Sequence, residues 1–157
     1  MKRLACIAMA LLLAAPLAPA AQLAPPETTV VALVNAARVK AGLKPVVAEP
    51  RLARIAAAHA ADMARNSFVG HVGSDGAGMI ERALRAGYGY AYIAENVAGG
   101  QKSAETAMAS WMSSGGHRRN ILAPEATQMG VGHAIEGGRA PKYGAYWVIV
   151  LGAPAVR

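Results

Sequence analysis

The chain has 157 residues, 54% of them hydrophobic, with 16 Lys and Arg against 9 Asp and Glu and a formal net charge of +7. That is enough for one domain with a core of its own and too little for two ordinary ones. The basic residues are scattered, Arg118-Arg119 being the only tight pair after Lys2-Arg3, and the 5% of aromatic residues do not interleave with them. A nucleic-acid binder gathers its charge on one face or helix, so no nucleic-acid partner is expected.

The N-terminus reads as a secretory signal peptide over residues 1–21. Lys2-Arg3 form a basic n-region, Leu4 to Leu17 carries no charge, and Ala18-Pro19-Ala20 supplies an A-x-A site with cleavage after Ala20 or Ala21. The apolar run is about 14 residues, short of the ~20 that span a bilayer. The expected mature form is therefore secreted or periplasmic, does not span a membrane, and is a monomer. Losing Lys2 and Arg3 leaves 14 basic residues against 9 acidic ones, a net charge of +5. Cys6, the single cysteine, lies inside the leader. The exported chain is thus expected to rely on packing without disulfides.

Residues 22–29 read as a linker containing Pro25-Pro26, ahead of a domain over 30–153. A first helix is predicted from Thr28 or Thr29, with Val30, Leu33, Val34, Ala37 and Ala41 as its buried stripe, Asn35 and Arg38 off its centre, and Gly42 as its stop. Pro50 fits the first turn of a second helix. On that helix Leu52, Ile55, Ala56, His59, Ala60 and Met63 share one face, and His59 there reads as a packed, hydrogen-bonded core residue. A turn-rich loop, Gly70 to Gly76, carries His71 and Asp75. A short third helix, about 78–86, ends at Gly87, and 90–98 reads as a strand with Glu95 inside an apolar run.

Ser103 is a plausible N-cap for a fourth helix whose face is Ala104, Ala107, Met108, Trp111 and Met112. Gly115-Gly116 is expected to end that helix in a glycine turn that presents His117. From 129 to 135 a strand alternates Gly130 and Gly132 with Val131 and His133. One face is nearly bare, which suits close approach of another backbone. His133 on the other face reads as structural or exposed. Residues 136–142 form a polar turn, and 146–151 is continuously apolar, as in a strand covered on both faces. Helices at both ends of the order, with a doubly covered strand and a hairpin, predict an α+β chain folded as a three-layer α-β-α sandwich.

Several short motifs occur in a telling order. They are Val34-Asn35-Ala36-Ala37-Arg38 with Gly42-Leu43, Gly70-His71, Arg82 with Gly87-Tyr88, and Ala94-Glu95-Asn96-Val97-Ala98. Then follow Trp111-Met112-Ser113, Gly116-His117-Arg118-Arg119-Asn120-Ile121-Leu122, Gly130-Val131-Gly132 and Tyr146-Trp147. In this order the chain resembles the CAP superfamily of cysteine-rich secretory, antigen five and pathogenesis-related proteins, and its bacterial SCP-like extracellular branch in particular. The resemblance implies a central antiparallel sheet and a cleft lined by two histidines and two acidic residues. His71, Glu95 and His117 match three of these. Many eukaryotic members carry a glutamate five positions after the first histidine, where this chain has Gly76, so Asp75 is the first candidate for the fourth residue and Glu81 the second. Asn96, Ser114 and Asn120 are candidate positioning residues.

His71 and His117 are candidate ligands for zinc or another divalent metal, since two neutral imidazoles make an open site that water completes. Glu95 would serve there as a ligand, an orienting group or a general base. A metal-assisted, peptidase-like hydrolase is one reading of this cleft. Against it, the chain has no H-E-x-x-H pair, no G-x-S-x-G elbow and no cysteine nucleophile, and Ser74, Ser113 and Ser114 are near the histidines only in sequence. Family members are implicated in binding sterols, lipids or protein partners, so the preferred reading is a binding module with Glu95 as its only candidate catalytic residue. A third reading makes His71, Glu95 and His117 a purely structural network.

Overall fold

The computed structural model describes residues 25–156, so the expected signal peptide lies outside the described residues. Helix α1 spans Pro26–Lys40 and begins two to three residues before the expected start. Pro25-Pro26 initiates the helix: a proline at the first helical position has its φ already set and lacks only an N–H that the helix would leave unbonded. Strand β1 (Val47–Ala48), helix α2 (Pro50–Asn66), helix α3 (Met79–Arg85) and strand β2 (Tyr90–Gly99) follow. Helix α4 (Ala104–Ser113), helix α5 (Gly115–Ile121), strand β3 (Gln128–Ile135) and strand β4 (Ala145–Pro154) complete the order.

The four strands form one sheet in the order β1-β3-β4-β2. The β2–β4 and β3–β4 pairings are antiparallel, as expected, and the two-residue β1 adds a parallel rung to β3. β4 shows why the molecule has three layers. Its Trp147, Ile149 and Leu151 enter a core shared with α1, α4 and α5, whereas Tyr146, Val148 and Val150 enter a second core shared with α2 and α3. Alternate side chains leave opposite faces of a strand, so an unbroken apolar run needs a cover on each side. Trp111 and Trp147 are both buried in the first core.

α2 presses hardest on the sheet. Its predicted face is buried residue for residue, from Leu52 to Met63. The bare face of β3 lies against its backbone: a Cβ on Gly130 would collide with the main chain at Leu52 and Ala53, and one on Gly132 with that at Ala56 and Ala57. Glycine is needed here for space. On the other face of β3, the His133 ring tilts over Trp147 with centroids 4.1 Å apart.

Two expectations need correction. Arg38, placed off the centre of the α1 stripe, is fully buried, and Ala41, placed on the stripe, is the exposed C-cap. The Arg38 guanidinium donates to the carbonyls of Lys44 (3.0 Å), Ile121 (2.8 Å), Ala123 (2.9 Å) and Ala126 (2.9 Å), so it ties the segment after α5 to α1. Burial pulls its pKa below the ordinary guanidinium value. The second correction concerns Gly115-Gly116. α4 ends at Ser113 through an extended Ser114 (φ −92°, ψ 123°), and the two glycines form the first turn of α5. His117 is thus helical, and the glycine pair separates two helices without forming a left-handed turn. At the start of α4, Ser103 and Thr106 complete a capping box.

Two substitutions test this packing by chemical denaturation. Gly132→Ala places a methyl group into the α2 backbone and should cost about 1–3 kcal/mol, the range for overpacking a core. Gly137→Ala, whose Cβ meets nothing within 4 Å, should stay within about 0.5 kcal/mol of wild type. Equal effects would mean that α2 does not touch β3 in solution. Trp111→Ala should cost about 3–5 kcal/mol.

Candidate functional site

The sheet order leaves one side of β2 without a neighbouring strand. Its outward carbonyls are capped by side chains: Trp111 Nε1 donates to Val97 O (3.2 Å) and Asn120 Nδ2 to Glu95 O (3.3 Å). The edge is therefore covered by α4 and α5 and closed to a further strand. Glu95 pairs with Val150 and Asn96 with Ile149. Glu95 thus projects toward the α2–α3 layer and Asn96 toward the α4–α5 layer. His71, Glu95, Asn96, His117 and Asn120 come together around this edge, where the two helical layers meet.

Glu95 is 5% exposed, which demands that its carboxylate be compensated. Arg82 Nη2, from α3, donates to Oε2 at 2.7 Å, and the Nδ1–H of His71 donates to Oε1 at 2.9 Å. Arg82 Nη1 also holds the carbonyls of His71 (3.0 Å) and Ala77 (2.8 Å). One guanidinium therefore pins both ends of the 71–77 loop and the carboxylate beneath it. The carboxylate only accepts, so His71 carries its proton on Nδ1 and leaves the Nε2 lone pair free, a tautomer assigned from this network. The hydrogen bond to Glu95 raises the His71 pKa, with burial opposing it.

On the other face, Asn96 is fully buried. It donates to the carbonyl of His117 (3.0 Å) and accepts from Asn120 Nδ2 (2.8 Å). These two amides fix the first turn of α5 on the strand. His117 Nδ1 is buried without a partner. Burial lowers the pKa of His117, and the charge of His71 lowers it further. As pH falls His71 gains its proton first and His117 resists, so the pair holds one charge before two.

The other candidates sit elsewhere. The Asp75 carboxylate accepts from Arg85 (2.6 Å) and from the Ala77 N–H (2.9 Å), in a pocket between α2 and α3. Glu81 is exposed, and its carboxylate lies over Gly78. Ser114 is the N-cap of α5 and makes no side-chain cap bond. His59 is buried, as expected, with Nε2 2.7 Å from the carbonyl of Gly70. Sequence reasoning quoted Arg82 as part of a motif but gave it no place in the site. The signal was Glu95 itself, because a carboxylate inside an apolar strand requires a cation from another element.

A divalent metal would find few free donors here. Both Glu95 oxygens are already engaged, and among the described residues no group of three or more His, Cys, Asp or Glu is placed to hold a metal ion. His71 Nε2 and the neutral ring of His117 remain. Two imidazoles alone would make at most an open, weak site whose coordination solvent or ligand would have to complete.

Sequence and structure comparisons agree with this architecture. The model of the Cysteine-rich secretory protein family, CAP, matches residues 31–151. The chain is 38% identical over 111 residues to the uncharacterised protein YkwD of Bacillus subtilis, covering 71% of this chain and 43% of that one. It thus spans less than half the length of the curated relatives it matches. An extracellular protein containing a SCP domain from Bacillus anthracis superposes with a TM-score of 0.72 at 24% identity, over 81% of this chain and 40% of its own. An outer surface protein of Borrelia burgdorferi superposes with a TM-score of 0.73 at 15% identity, over 82% of this chain and 92% of its own. At such identities the likeness speaks for the fold alone.

Two measurements probe the clamp. Arg82→Met leaves a buried carboxylate without its cation and should cost about 3–5 kcal/mol; a loss below about 1 kcal/mol would place Glu95 in solvent. Because the folded pKa of His71 is raised, its stabilisation is complete below the unfolded value of about 6.5 and fades as pH rises through the folded value. The stability gap between wild type and His71→Gln should therefore be largest near pH 6 and shrink toward pH 8. A gap that widens over this range would contradict the His71–Glu95 bond.

Proposed function

The chain belongs to the Cysteine-rich secretory protein family, CAP, and on that premise we propose that it works outside the cytoplasm as a binding module. Export is supported by the Lys2-Arg3 leader with its A-x-A site and by the extracellular and outer-surface descriptions of the structural neighbours. Among the described residues no helix is long and apolar enough to cross a membrane.

The observation that carries the reading is the burial of Glu95 beneath its two partners. A general base must reach the proton it removes, and here the side chain is 2% exposed, with one carboxylate oxygen against a guanidinium and the other against an imidazole N–H. Glu95 orients. The nearby serines are occupied as well: Ser74 Oγ donates to Asp62 (2.6 Å) and Ser113 Oγ to the carbonyl of Ser110 (2.8 Å). What the cleft offers a ligand is His71 Nε2, the neutral His117 ring and an apolar rim, since Val69 and Val72 on either side of His71 are exposed. That combination suits a lipid, a sterol or a protein partner that brings apolar surface and one polar group.

A divalent ion held by His71 and His117 would supply a Lewis-acidic point for that polar group. Glu95 would then set the ring orientation and the basicity of His71, as carboxylates behind ligating histidines do. Zinc titration followed by melting temperature tests the metal, and phospholipid vesicles, cholesterol and a peptide-substrate panel test the rest. Zinc should stabilise wild type by mass action near pH 7.5, and His71→Ala and His117→Ala should each remove the effect. Equal stabilisation of the double-alanine variant would remove the metal from the account. Peptide turnover by wild type that Glu95→Gln loses, with fold and zinc binding intact, would replace the binding reading with a hydrolase.

A further inference from the structure

The segment that carries His71 doubles back along α2. Ser67, the C-cap of α2, has a left-handed backbone (φ 51°) and is the one non-glycine residue to do so among the described residues. The chain that leaves it is gripped twice by the helix it has just left. His59 Nε2 lies 2.7 Å from the carbonyl oxygen of Gly70, and Asp62 accepts from the N–H (2.8 Å) and the hydroxyl (2.6 Å) of Ser74. His71 is between the two grips, and they differ in kind. The Ser74 contacts are exposed and three residues from His71. His59 is 1% exposed, with its ring edge-on to Phe68 at 6.3 Å between centroids. It holds the peptide group that leads directly into His71.

A peptide unit is planar, so the backbone of one residue has only φ and ψ to fix. Gly70 O belongs to the plane before His71, and His71 O to the plane after it. His59 holds the first, and Arg82 Nη1 holds the second at 3.0 Å. With both planes held, the direction in which the His71 side chain leaves the main chain is set. The bond to Glu95 then has only the ring to orient. A carbonyl only accepts, so His59 carries its proton on Nε2, a tautomer assigned from this contact. Burial pushes the His59 pKa below the ordinary imidazole value, so the ring stays neutral and brings no second charge toward Arg82. We propose that His59 is a positioning residue for the histidine cleft: through the Gly70 carbonyl it sets the backbone from which His71 presents Nε2. Filling the α2 face would need only an apolar ring of similar size. The N–H is what the loop requires, because without it the Gly70 carbonyl loses its partner. This role rests on the reading of His71 Nε2 as the group that the cleft offers a ligand.

The test is side-chain ¹⁵N NMR of the histidines in the purified protein, which needs neither metal nor ligand. In wild type, His59 should be protonated on Nε2 and unprotonated on Nδ1, and His71 should show the single Nδ1-protonated form. His59→Phe keeps a ring beside Phe68 and removes the donor, and His71 should then show mixed tautomers. His59→Gln keeps an amide N–H at similar reach and should restore the single His71 form. Val34→Ala, which loosens the core on the other side of the sheet, should lower stability and leave His71 as in wild type. That contrast separates positioning from a general loss of packing. A His71 unchanged in His59→Phe, or equally mixed in His59→Gln and His59→Phe, would overturn the role given to His59 and leave the Glu95 bond standing. A wild-type His59 protonated on Nδ1 would overturn it whether or not the variants fold. Mixed His71 tautomers already in wild type would overturn the Glu95 bond as well, and the reading of the cleft with it.

Discussion

A carboxylate buried on an edge strand is the constraint around which the rest of this molecule is arranged. Glu95 lies beneath the 71–77 loop, where desolvating a charge is expensive unless cation and hydrogen bonds are supplied together. Arg82 supplies most of both. Its guanidinium meets Glu95 and the carbonyls of His71 and Ala77, so the loop, α3 and β2 become one rigid unit. His71 completes the carboxylate and is oriented by it. The price of burying Glu95 is thus converted into a fixed imidazole at the surface.

The position of the two histidines follows from the topology. A strand inside the sheet would have both sides filled by backbone pairing. β2 has one side free, and that side is closed by Trp111 and Asn120 from the α4–α5 layer. The edge is where groups from both helical layers can meet without passing through the sheet. It brings His71, on a loop of one layer, to His117, on a short helix of the other. Arg38 contributes from further away, because its hold on the carbonyls of residues 121, 123 and 126 fixes the exit of α5.

Much of this was legible in the residues, and the failures have physical causes. The face of α2, the capping role of Ser103, the doubly covered β4 and the glycine face of β3 all follow from period and side-chain size, which are local. Arg38 was misplaced because three of its four carbonyl partners are more than eighty positions away, and periodicity records polarity without recording what satisfies it. Gly115-Gly116 was misread because glycine at a helix end serves either a left-handed cap or a close start, and the choice depends on where Ser114 turns the chain. His71, Glu95 and His117 were found by motif, but their relation was not: only the fold shows that both Glu95 oxygens are engaged. Asp75 illustrates the same limit, since its neighbour Arg85 is on a helix whose phase the loop sets.

The central claim is that Glu95 holds His71 in one tautomer, with Nδ1–H donated to the carboxylate and the Nε2 lone pair left free. Side-chain ¹⁵N NMR of the histidines reads this directly, because protonated and unprotonated ring nitrogens are well separated in shift. At a pH above the raised pKa of His71, the account predicts a protonated Nδ1 and an unprotonated Nε2 in wild type, with mixed tautomers once Glu95→Gln removes the carboxylate. A His71 ring with its proton on Nε2, or one averaging between tautomers in wild type, would contradict it.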